Sequence, residues 1–396
     1  MVTPAHPVPS RVERLQRGAL AVGVLGLVAC LAGGFANPAQ FYRSWLFAYL
    51  FWTNVGIGCL SLVMIHHLSG GMWGLVIRRI LEAGTRTLYL APLFFLPVVL
   101  GMGHVFAWAK PESAADPLLR HKALYLNTGF FLARAAFYFV VWAGLAQVLN
   151  KLSAQLDAGP DERVSRRLTA ISGGGLLLMG LTITFASVDW AMSLDPHWFS
   201  TIYGVLFMVG QALAALTLVI VLLALFSEEA PFAGVVKPVD THDLGKLMLA
   251  FTMLWAYIHL SQFLIMWSGN LPEEIPWYLR RTHGGWKLVA QLLVVFHFVL
   301  PFLLLLSRDL KRDARKLAGV AGLVFLVRLL DLFWLVAPDL QGHGEQAHGI
   351  SVHGLDVATP VALGGLWLAF FAHELRKRPL LPIGEPEIRE RIEKAA

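Results

Sequence analysis

Ten separate apolar runs, each at least 19 residues long, govern what this chain can become. At about 1.5 Å per residue, a helix of that length crosses a hydrocarbon core of about 30 Å. The runs fall at 18–36, 42–66, 88–109, 124–149, 168–188, 200–226, 245–267, 286–306, 317–337 and 355–375. A membrane barrel would read as alternating segments of about ten residues, and none occur. The expected fold class is all-α: a polytopic membrane protein of ten transmembrane helices, with 1–396 forming a single integral membrane domain. Charge agrees, since Asp, Glu, Lys and Arg make up 15% of the residues, against about a quarter in soluble domains. Residues 1–17 are polar and Pro-rich, and no small-residue cleavage site follows the first run, so 18–36 is read as a retained helix.

The net charge of +6 would suit nucleic acid, but the position of the charges argues for a bilayer instead. With the N-terminus inside, and with Arg43, Lys246 and Lys287 at the run edges counted with the adjoining loops, 23 of the 32 Lys and Arg residues fall in inside segments and seven in outside loops. The remaining two, Arg134 and Arg328, lie within spans. Such a bias places both termini in the cytoplasm, and 376–396 becomes a cytoplasmic tail. The first inside loop, MWGLVIRRILEAGTRT (72–87), reads as an interfacial helix anchored by Arg78, Arg79 and Arg86. Cys30 and Cys59 each sit inside an apolar run, which leaves no disulfide framework and no cysteine-ligated cluster. There is no CxxCH, no Walker loop and no GxGxxG at a strand–helix junction.

Ionisable groups within spans are costly and mark functional candidates. Arg134 lies about ten residues into the fourth run and so close to the midplane. Arg328 and Asp331, three apart in the ninth run, share one helix face, as a local ion pair or as part of a proton relay. His259 belongs to the seventh run and His297 to the eighth. Counting from the run boundaries puts them at heights differing by roughly 7 Å, which argues against their ligating one haem. His104 lies in the outer third of the third run. The outer stretch SVDWAMSLDPHWFSTIYG (187–204) holds Asp189, Asp195 and His197. Asp195 followed by Pro196 reads as the N-cap of the sixth helix. Trp190 and Trp198 read as an interfacial belt. Asp189 has no cation nearby in sequence. The loop GHGEQAHGISVH (342–353), with His343, Glu345, His348 and His353, matches no compact metal motif and reads as a solvated or partner-contacting loop.

Two stretches resemble a known family. SVDWAMSLDPHWFSTIYG (187–204) looks like the hallmark of the ActF-type membrane subunit of alternative complex III, a quinol:cytochrome c oxidoreductase. GKLMLAFTMLWAYIHLSQFLIMWSGNLPEEIPWYLRRTHGGWK (245–287) looks like its second signature, and order, length and span number also fit. Likeness to the wider NrfD/polysulfide-reductase membrane-anchor superfamily is weaker. The resemblance implies two four-helix bundles, spans two to five (42–149 and 168–188) and six to nine (200–337), flanked by spans one and ten. It implies a subunit of a respiratory or photosynthetic complex in the bacterial inner membrane, with no cofactor bound by this chain. Haem c and iron–sulfur clusters would reside on partners: multihaem cytochrome c subunits and an iron–sulfur subunit, beside an ActC-type membrane subunit.

Three functional readings follow. The leading one is a non-redox subunit that scaffolds the complex and conducts protons, with Arg328, Asp331, His259, His297 and Arg134 as relay candidates and Asp189, Asp195 and His197 at the outer exit. The second is a quinol-binding site in this chain, with His104, Asp189 or His197 accepting the proton. The third is a secondary transporter, which would call for a matched pair of interrupted helices that the sequence does not display.

Overall fold

The structure, a computed structural model, describes residues 10–340 and 349–395. Among these, ten helices are long and apolar enough to cross a membrane. They are α1 (Ser10–Ala36), α2 (Pro38–Ser69), α3 (Arg78–Leu100), α4 (Thr128–Ala158), α5 (Glu162–Leu194), α6 (Tyr203–Phe226), α7 (Pro238–Gly269), α8 (Gly284–Leu306), α9 (Ala314–Leu340) and α10 (Gly354–Leu375). No strand occurs among the described residues. The chain is an all-α, multi-pass membrane protein.

Burial sorts the helices. In their most apolar windows α2 and α6 are 94% and 83% buried, whereas α1 is 17% and α7 and α8 are 28% buried. The first two form the interior, and the others turn most of their surface outward. The central pair crosses closely because α2 carries Gly58 at the contact: a Cβ there would lie 2.1 Å from the Gln211 carbonyl oxygen of α6. Small residues at such crossings allow the backbone approach that drives helix association in lipid. On one side α2 packs on α3 and α5, with α4 against α5; on the other α6 packs on α7 and α9; α1 and α10 pack along each other and on α2.

The two ends of the described chain lie on one face. Arg376 donates to Gln16 and Glu13, and Arg391 reaches Asp240 at the start of α7. We call this the terminus face. It corrects the reading of 72–87 as an interfacial segment. Arg78, Arg79 and Glu82 are each buried to within 3% of full enclosure. Arg79 pairs with Glu82 and Asp157, Arg78 with Glu82 and with Glu385 of the tail, and Arg86 with Glu374 at 3.2 Å. Because these charges neutralise one another, the helix starts at Arg78 instead of 88, and 101–109 falls into short turns beyond Leu100. The tail is thereby held against the bundle by ion pairs.

Candidate functional site

A buried polar cluster lies in the second half of the chain, on α7, α8 and α9. Arg328 and Asp331 of α9 are ion-paired within one turn, with 2% and 0% of their surfaces exposed. Trp255 of α7 donates its indole N–H to Asp331 Oδ2 at 2.9 Å. One turn further on, His259 places Nε2 3.8 Å from Asp331 Oδ1. His297 of α8 faces the same indole: the imidazoles of His259 and His297 lie 4.4 and 4.0 Å from the Trp255 ring. The two histidines therefore meet around one tryptophan.

Local sequence explains the placement of His297. It sits in a π-helical turn, Val294–Val299. Pro301, four residues on, has no N–H for the His297 carbonyl and would clash with it in a regular α-helix. A wider turn relieves that clash, and such turns often occur at functional sites. The Arg328 guanidinium is seated by Gly210 of α6, where a Cβ would come within 2.2 Å of Nη2. Gly210→Ala is therefore expected to displace the guanidinium and cost about 1–3 kcal/mol, read as a lowered thermal unfolding midpoint of the purified chain. Gly180→Ala, where nothing lies within 4 Å, serves as the neutral control.

Thr252, Trp255, His259 and Gln262 recur at helical spacing and form one polar stripe on α7. The stripe spans about 15 Å along the axis at 1.5 Å per residue. Thr252 Oγ1, both amide atoms of Gln262, Asp331 Oδ1, His259 Nε2 and both ring nitrogens of His297 have no hydrogen-bond partner among protein groups. The Asp331 oxygen and the His259 nitrogen, 3.8 Å apart, stand just beyond hydrogen-bond distance and need only a small approach to bond.

Other candidates lie elsewhere and are more fully engaged. Arg134 of α4 grips Asp189 of α5 with two bonds, Nε to Oδ2 at 2.9 Å and Nη2 to Oδ1 at 2.8 Å. Tyr138 donates to Asp189 Oδ2 at 2.7 Å, and Arg134 also reaches the Tyr125 carbonyl and stacks 3.8 Å over the Tyr125 ring. Asp189 thus has its cation, contributed by another helix. Asp195 does not cap the sixth helix, which starts at Tyr203 after a run of short turns. Its Oδ1 accepts the His197 N–H at 3.3 Å, and its Oδ2 pairs with Arg280. Arg280 and Arg281 both reach Asp339, and Arg281, wholly buried, lies 3.6 Å over the Trp277 ring. This closes the second half on the face opposite the termini. Trp190 and Trp198 are 3% exposed and pack inside, so they form no interfacial belt.

His197 turns away from Asp189 and bonds Asp116 at 2.8 Å. Asp116 lies outside the spans; desolvation raises its pKa, but the Leu118 N–H, His197 and the Leu119 N–H outweigh that and hold it below the usual carboxylate range. His104 stacks on Tyr42 with ring centres 5.3 Å apart. His104, Asp189 and His197 therefore each answer to a different partner. The interior around Trp142 and Trp190 is filled by aromatic side chains, leaving a cavity of only about 10 Å³. Phe131 is buried there, while Phe130 and Phe137 face outward. Of the 342–353 loop, His343, Glu345 and His348 lie outside the described residues; His353 caps α10. Among the described residues no group of three or more His, Cys, Asp or Glu side chains is placed to hold a metal ion.

Sequence reasoning missed Trp255, Thr252, Gln262, Tyr138, Arg280, Arg281 and Asp339. The stripe on α7 was available as an i, i+3, i+7, i+10 pattern. Set beside known proteins, the chain matches no protein-family model and no curated protein.

Proposed function

We propose that this chain is an integral subunit of a quinol:electron-acceptor oxidoreductase of the alternative complex III type, in the inner membrane of a bacterium. Both termini face the cytoplasm. The subunit scaffolds the complex and conducts protons through its second half, while haem c and iron–sulfur clusters belong to partner subunits. The observation that carries the conducting role is the buried Asp331, paired to Arg328 on one side and facing His259 on the other.

The motifs that suggest the complex support this reading in another way. The stretches 187–204 and 245–287 contain Asp189, Asp195, Trp255, His259, Arg280 and Arg281, residues engaged in the buried polar contacts. In the proposed relay, His259 Nε2 passes a proton to Asp331 Oδ1. Protonating Asp331 loosens its hold on Arg328, whose fixed charge then favours onward release. Arg134–Asp189 acts as a structural clamp, since both Asp189 oxygens are already bonded.

Subunit membership is tested by purifying an affinity-tagged chain from native membranes in mild detergent. A multihaem cytochrome and an iron–sulfur protein are expected to co-purify in fixed ratio. Recovery of the chain alone, with solute uptake by that chain in liposomes, would contradict the proposal in favour of a transporter.

A further inference from the structure

We propose that a basic pocket on the terminus face, built around Lys311, binds the phosphate of an anionic phospholipid. Between 308 and 316, where α8 gives way to α9, five Lys and Arg residues stand against two Asp. Arg308–Arg312 forms a short helix capped by Ser307, and it packs on the beginning of α7. Gly245 of α7 makes the seat: a Cβ there would lie 2.6 Å from Lys311 Cγ. The Thr241 hydroxyl of α7 reaches the Arg312 carbonyl at 3.3 Å and fixes the same turn. Lys311 is only 7% exposed, yet among the described residues no carboxylate or carbonyl accepts from its ammonium. Other basic side chains on this face do have carboxylates. Arg11 has Glu228 and Glu229, Arg79 has Glu82 and Asp157, Arg86 has Glu374, and Arg391 has Asp240.

A charge drawn out of water calls for an anion beside it. The nearby carboxylates are committed elsewhere or open to water. Asp243 pairs with Lys246 at 3.0 Å, Asp313 pairs with Lys316 and accepts the N–H groups of Arg315 and Lys316, and Asp309 is exposed. Arg308 and Arg312 stand exposed beside Lys311. Lys246, Lys311 and Arg308 all bring positive potential to the ring of His242, so these charges converge on one spot. What the anion is attached to follows from the neighbouring turns. Met253 of α7 and Leu303 and Leu306 of α8 are exposed, on helices that pack together. Lys246 and Met253, seven apart, share one face of α7. A phosphate carrying acyl chains meets both demands, with its head at Lys311 and its chains along these apolar faces. Basic pockets between membrane helices hold anionic lipid head groups in this way. A free phosphate would leave the apolar faces unused. The inference needs only a bilayer and stands apart from the complex and the relay.

The test uses the purified full chain, freed of lipid in a mild detergent. Dioleoyl phosphatidylglycerol, dioleoyl phosphatidylcholine or inorganic phosphate is added, and binding is read by native mass spectrometry and by thermal unfolding. The expected result is one saturable phosphatidylglycerol adduct, bound about fivefold or more tightly than phosphatidylcholine, that raises the unfolding midpoint. Inorganic phosphate at the same concentration is expected to do neither. Lys311→Met removes the charge and keeps a packed stem. It is expected to weaken phosphatidylglycerol binding about fivefold, the worth of one basic residue near an anionic lipid. It should also reduce the lipid-induced rise without lowering the midpoint in lipid-free detergent. Arg308→Gln, at an exposed position, gives a second loss of similar size should methionine disturb folding. Lys151→Met, an exposed lysine on the same face, keeps the native binding as control. Equal binding of the two lipids, or a phosphatidylglycerol preference retained in Lys311→Met, overturns the proposal and leaves a lysine whose head is held by water alone. Inorganic phosphate that displaces phosphatidylglycerol and raises the midpoint by itself marks a soluble-anion site and overturns the lipid assignment.

Discussion

Replacing Arg134 by methionine should destabilise the folded chain by about 3–5 kcal/mol, the cost of leaving one member of a buried ion pair uncompensated. Asp189 has no exposed surface and receives two charge-assisted bonds from Arg134 and one from Tyr138. Without the guanidinium the carboxylate must either remain charged in a low-dielectric interior or take up a proton. Arg134→Lys keeps the charge but loses the two-pronged geometry, so an intermediate loss is expected. The double variant Arg134→Met, Asp189→Leu should recover most of the stability, because no orphan charge remains. Thermal unfolding of the four proteins in one detergent gives the double-mutant cycle. Additive effects would show that the pair contributes no coupling and that the clamp is misread.

The second large effect concerns Asp331, where the change is expected in function more than in fold. Asn retains an oxygen for the Trp255 indole N–H, which is 2.9 Å from Oδ2. It cannot be protonated and released in a cycle, nor balance Arg328. The pumping contribution of the relay should therefore vanish, while Asp331→Glu, which can still ionise, should restore part of it. Haem content per purified complex controls for loss of assembly.

The spans were legible because apolar runs of membrane length have few alternative fates. Arg328 and Asp331 were legible as neighbours because three residues on one helix fix their geometry. Contacts between helices were harder. Arg134 and Asp189 are 55 positions apart, and Arg134 was set near the midplane because the fourth run was drawn from 124. The helix starts at Thr128, so Arg134 is within two turns of its beginning, as Asp189 is close to the end of its own helix. Heights counted from true helix ends would have matched them. That His259 and His297 share the Trp255 indole was hidden by the π-turn, which no simple periodicity reveals. Asp195–Pro196 carried a strong capping signal, yet tertiary pairing with Arg280 fixed it in a turn. Arg280 and Arg281 counted only as loop charges, although they close the second half through Asp339.

If the proposal holds, protons cross through the cluster around Asp331. The most direct measurement is the proton-to-electron ratio of the intact complex in liposomes, with the native chain and with Asp331→Asn. Electron transfer is expected to persist in the variant while the ratio falls to that of quinol chemistry alone. An unchanged ratio in a fully assembled variant would contradict it.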